Sequence, residues 1–217
     1  MILQTWGCTV TRVLLLATFW VLPAAAAGPD PAEVNEVAYS RAPSALLVSF
    51  KEVYPEFADQ DPTPLLRIYG DGTVVVYRPS YMKQAGRFEM LLGAAELDAL
   101  MLELASALLP FDPAATRDEI RALEDLLWNA ADDPEDLVIF QVADAEVSQF
   151  ELNIQSFSRS GIQGLVAVQQ PVKRQWRGLR YDVQNYPELE GLKLLSRAEN
   201  MLRGLASNPN LVQVPVR

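Results

Sequence analysis

The sequence predicts an α+β fold, a mainly antiparallel sheet of meanders packed by about three amphipathic helices. Three observations lead there. Segments of β character come in runs and do not alternate singly with helices, which disfavours a doubly wound parallel sheet. Leu65–Leu108 reads continuously as strand, Gly70-Asp71-Gly72 turn, strand, strand and helix. Near Ala94 the apolar spacing changes from every second residue to every third or fourth, as a strand gives way to a helix.

Residues 1–27 have the layout of a secretory signal peptide. Arg12 precedes the apolar run Val13–Leu22, and Pro23-Ala24-Ala25-Ala26-Ala27 supplies small residues for cleavage after Ala25 or Ala27. The apolar run falls short of the ~20 residues that a spanning helix needs. No later stretch is apolar enough to span, so no transmembrane segment is expected after cleavage. Cys8, the single cysteine, leaves with the signal, and the chain has no histidine. An exported chain without disulfides and without an Asn-x-Ser/Thr acceptor points to a bacterial periplasmic or secreted protein.

The remainder divides into a flexible leader, 28–44, marked by Pro29, Pro31 and Pro43, and a single α+β domain, 45–217. Ala45–Tyr54 alternates, with Leu46, Val48 and Phe50 on one side and Ser49 and Lys51 on the other. Leu65–Tyr69 and Thr73–Arg78 form a hairpin about the glycine turn, and Arg87–Leu92 a third strand. Ala94–Leu109 carries one apolar stripe, Leu97, Leu100, Met101, Leu104 and Leu108, and Pro110 stops it.

Asp112–Ala131 is the next helix. Thr116 and Glu119 have capping-box spacing, which places its regular start near Arg117, and Ile120, Leu123, Leu127 and Ala130 or Ala131 form its buried stripe. Leu137–Val142 has strand length, Ser148–Phe157 alternates as one strand, and Ile162–Val168 is a weaker strand interrupted by Gly164. Pro187 suits the first position of a helix that continues over Glu188–Leu205, and Leu211–Val216 suits an edge strand. Pro171–Tyr181 shows no clear period.

Composition excludes several chemistries. Without His or Cys beyond the signal, a Ser-His-Asp triad, a Cys-His pair and His- or thiolate-based zinc sites cannot form. Gly70-Asp71-Gly72 joins strand to strand, whereas a phosphate loop joins strand to helix. Asp59, Asp61 and the acids of 132–136 cluster, yet neither group fits a calcium-loop spacing. No catalytic residue, metal ligand or cofactor is therefore assigned. A carboxylate-dependent hydrolase remains the alternative, since acid pairs need neither His nor Cys.

The net charge is −10, which gives no general attraction for nucleic acid, but its distribution is uneven. Residues 112–158 hold 2 basic and 12 acidic groups, whereas 159–217 hold 9 basic and 4 acidic. Within the basic third, Lys173, Arg174, Arg177 and Arg180 interleave with Trp176 and Tyr181, and arginine with aromatics is the usual anchor of a binding surface. These six residues are the candidate partner-binding site. The expected partner is anionic: an envelope protein, a lipid headgroup or a cell-wall polymer. An internal reading competes, in which these cations pair with the acidic 112–158 region and Trp176 packs over the sheet.

The stretch Pro64-Leu65-Leu66-Arg67-Ile68-Tyr69-Gly70-Asp71-Gly72-Thr73-Val74, with Gly86-Arg87-Phe88 and Glu96-Leu97, resembles a family of small exported bacterial domains of unknown function. The similarity covers roughly residues 46–108 and lacks the two cysteines that members often carry before the hairpin. It implies an exported α+β domain and no particular activity.

Overall fold

A computed structural model describes residues 34–55, 63–130, 144–159 and 166–215. Ten strands and four helices occur among them: β1 (Val34–Ala38), β2 (Leu46–Val53), β3 (Leu66–Tyr69), β4 (Thr73–Arg78), β5 (Gly86–Leu91), α1 (Ala94–Leu108), α2 (Pro113–Ala130), β6 (Val147–Leu152), β7 (Ser156–Arg159), β8 (Val166–Ala167), β9 (Val172–Arg177), α3 (Leu179–Asn185), α4 (Glu190–Ala206) and β10 (Val212–Val214). A seven-stranded sheet has the order β10-β5-β4-β3-β2-β6-β9, and β1-β7-β8 forms a second sheet. Every pairing is antiparallel, as the fold class requires.

Period-two patterning decides which face of the large sheet is covered. Phe50 lies opposite Phe150 and Phe150 opposite Arg174, so Phe50, Ser148, Phe150, Leu152 and Trp176 share one face. That face carries the core, where Phe50, Leu66, Ile68, Val74 and Val76 meet Met101, Leu104 and Leu108 of α1 and Leu192, Leu195 and Leu202 of α4. Burying each such side chain is worth roughly 1.5–3 kcal/mol relative to leaving it in water. The opposite face, with Ser49, Lys51, Gln149, Glu151, Lys173 and Gln175, stays in contact with solvent. An antiparallel sheet tolerates this because polar residues fall on alternate positions.

The glycine turn works as the sequence suggests, with a different duty for each glycine. Gly72 sits at φ +89°, a region L side chains rarely adopt. Gly70 is needed for space, since a Cβ there would lie 2.4 Å from the carbonyl oxygens of both Ala42 and Ser40. Asp71 completes the turn by accepting from Thr73 N–H at 2.9 Å.

Several expectations are corrected. The leader 28–44 contains β1, which pairs with β7. Ser148–Phe157 is two strands. At the break, Asn153 N–H donates to Leu47 O of β2 and Gln155 N–H to Ala38 O of β1, both at 2.7 Å, so the chain passes from one sheet to the other. Helix α2 starts at Pro113 and not near Arg117. Asp112 Oδ1 accepts from Ala114 N at 2.8 Å and Ala115 N at 3.3 Å, and the Thr116 hydroxyl donates to the Asp112 carbonyl. Leu127 of its expected stripe is exposed beside Leu126 and Trp128, and only Ile120 and Leu123 pack on the core.

Pro187 lies in the turn before α4, which begins at Glu190, and the unclear 171–181 stretch resolves into β9 and the start of α3. Of the weaker strand over 162–168, β8 is the described part. The signal peptide, Asp59 and Asp61, Asp132 to Asp136 and the strand Leu137–Val142 lie outside the described residues.

Candidate functional site

The six residues singled out in sequence part company in the structure. β9 pairs in register with β6, placing Glu151 opposite Lys173 and Gln149 opposite Gln175 on the open face. Lys173 points to solvent, 3.8 Å from Glu151. Arg177 lies on the same open face and is exposed. Arg174 falls on the covered face at the sheet edge, where its Nε donates to Leu108 O at 3.1 Å and its Nη1 to Lys173 O at 3.0 Å. Partial burial lowers the Arg174 pKa, opposed by the charge of Asp112.

Trp176 is 3% exposed and belongs to the core. Its indole meets Phe111 edge-on at 5.8 Å, Arg117 lies 5.0 Å from its ring, and its Nε1 donates to Asp182. Arg180 is on α3, 3.4 Å from Glu146, and lies 5.5 Å from the half-buried Tyr181 ring.

Lys173 and Arg174 therefore act in a setting that the sequence did not show. They line an open groove of about 620 Å³ floored by β2, β6 and β9. Ser49 and Lys51 come from β2, Gln149 and Glu151 from β6, and Lys173, Arg174 and Gln175 from β9. Pro64 bounds one side, and Pro113 and Arg117 of the first turns of α2 bound the other. Among the described residues the groove lining thus holds four cations and one carboxylate, in a chain of net charge −10. Lys51 and Arg117 have no ion-pair partner among the described residues, and the Lys173–Glu151 pair is long and exposed. Such a pair contributes about 0–1 kcal/mol, so both groups can turn to a ligand at little cost.

Sequence reading missed Lys51, Arg117, Gln149 and Gln175. The signal that could have found three of them is the polar half of the strand alternation in β2, β6 and β9. Their adjacency depends on sheet order.

A second cluster lies on the covered side. Glu52 of β2, Glu146 before β6 and Glu199 of α4 converge on Arg203, with Nη2–carboxylate distances of 3.2, 4.0 and 3.3 Å. Ser148 Oγ donates to Glu199 at 2.5 Å. Burial pushes the Glu52 carboxyl above its usual range, against the pull of Arg203 and with help from Glu199 and Glu146. Glu146 and Glu199 are 3% and 4% exposed, so neither presents its carboxylate to a substrate. The arrangement ties α4 to the sheet.

Ser80 and Lys83 have Ser-x-x-Lys spacing, but both are exposed on the β4–β5 connection. Among the described residues no group of acids is arranged to hold a metal ion, and no helix is long and apolar enough to cross a membrane. Comparison of the chain with family profiles, curated proteins and solved structures finds no match.

Proposed function

We propose that this is an exported, non-enzymatic binding protein that takes an anionic partner in the groove of β2, β6, β9 and α2. One observation carries the reading: among the described residues, Lys51, Arg117, Lys173 and Arg174 line the groove against one carboxylate, Glu151. Local positive potential on an acidic molecule concentrates anions there and orients them on approach. Compartment follows from the signal-like segment 1–27 and the lack of Cys and His after it. The hydrolase alternative draws no support from the Glu52–Glu146–Glu199 cluster, whose two most buried acids are closed off by protein.

The test is a comparison of the anionic glycans, lipids and proteins retained from cell-envelope extract by the wild type and by a Lys51→Gln, Arg117→Gln, Lys173→Gln, Arg174→Gln variant. Loss of salt-sensitive capture by a folded variant supports the proposal. An unchanged capture profile contradicts it.

A further inference from the structure

We infer that the groove is built for a short, hydroxyl-rich anion, a sugar acid of a few residues, and not for a long polyanion, an acidic peptide or a lipid. This inference rests on the anionic-partner reading and narrows it.

The floor is strand surface. Lys51, Gln149 and Gln175 form one row across β2, β6 and β9, and Ser49, Glu151 and Lys173 form the next. Each row has one cation, Lys51 at the β2 end of the first and Lys173 at the β9 end of the second; the two amides continue the first row, and Glu151 and Ser49 the second. Glutamine amides and the serine hydroxyl both donate and accept, as sugar hydroxyls do, and Glu151 accepts from them. Carboxylates of the ligand meet Lys51 at one end and Lys173 at the other. About 620 Å³ accommodates two or three sugar units in an open site.

The other classes fit less well. A lipid surface needs exposed apolar side chains for insertion, and among the described residues the lining offers Pro64, Pro113 and the buried edge of Phe150. A peptide added as a strand would pair along the outer edge of β9, whereas Lys51 lies on the sheet face two strands away, out of its line. Nucleic acid needs stacking platforms, and the nearby ring of Trp176 is taken by Arg117. A long polyanion would leave the groove and meet a molecule of net charge −10.

The experiment is calorimetric titration of the protein with trigalacturonate, with neutral maltotriose, with polyglutamate and with phosphatidylglycerol vesicles. Trigalacturonate is expected to bind and maltotriose not. Lys51→Gln with Lys173→Gln, both side chains on the open face, is expected to weaken trigalacturonate about tenfold. Lys83→Gln with Lys193→Gln removes the same charge elsewhere and is expected to change little. Equal binding of the two trisaccharides, or equal loss in both double variants, overturns the inference. Binding of polyglutamate or vesicles alone, lost in the groove variant, overturns it while the anionic-partner reading stands. Absence of binding by every anion overturns both.

Discussion

Trp176 donates its indole N–H to Asp182 Oδ2 at 2.6 Å, joining the end of the edge strand β9 to helix α3. Burial raises the Asp182 pKa, the Trp176 bond lowers it, and Glu124 adds a smaller upward push. The net shift is upward, so protonation is favoured more in the folded than in the unfolded chain. The associated stability is present in acid and is lost as pH rises through the folded-state value. Trp176→Phe is expected to leave the carboxylate without its donor, at a cost of ~1–3 kcal/mol at neutral pH. Denaturant unfolding should show this deficit shrinking in mild acid.

Glu52 gives a second pH signature. It faces Arg203, Glu199, Glu146 and Arg180, with the Tyr54 phenol nearby, and its carboxyl is raised mainly by burial. By the same sign argument, its ionised form weakens the fold as pH rises through the folded-state value. Glu52→Gln should therefore unfold at no lower temperature than the wild type at neutral pH, and should gain less on mild acidification. Calorimetry at the two pH values checks both.

Glu199→Ala should behave in the opposite way. It removes the acceptor of Ser148 and the buried partner of Arg203, two losses on the covered face. Arg203 keeps Glu52 and is partly exposed, so the main cost is the buried Ser148 hydroxyl left without its acceptor, ~1–3 kcal/mol. Chemical denaturation should show the loss at neutral pH, with groove binding of the folded fraction unchanged.

Gly70→Ala should destabilise although the residue is in a turn. Its Cβ would sit 2.4 Å from two backbone carbonyl oxygens, and backbone cannot swing aside as a side chain can. Overpacking costs ~1–3 kcal/mol. Thermal unfolding should show a clear drop for this variant.

Local pattern explains what was legible in the sequence. The β3–β4 hairpin and α1 follow from spacing and turn chemistry within a few residues of each other. The β6–β7 break does not, because it arises where Asn153 and Gln155 find acceptors on strands more than a hundred residues earlier. At the start of α2, Thr116 and Glu119 mimic a cap, while Asp112 before Pro113 supplies the one that forms. The site divides along the same line. Charge density flagged Lys173 and Arg174, but it also swept in Trp176, which period-two alternation places in the core. Lys51, Gln149 and Arg117 join the groove only through the strand order β2-β6-β9 and the placement of α2.

The most direct measurement follows the side-chain amide resonances of Gln149 and Gln175 by NMR while trigalacturonate is added. Both lie on the groove floor, Gln149 opposite Lys51 and Gln175 two residues along β9 from Lys173. The account predicts that these two amides and the backbone of β9 shift together and saturate, while Gln213 on the far edge strand β10 stays still. Shifts confined to other surfaces, or an unchanged pair of amides at saturating ligand, would contradict it.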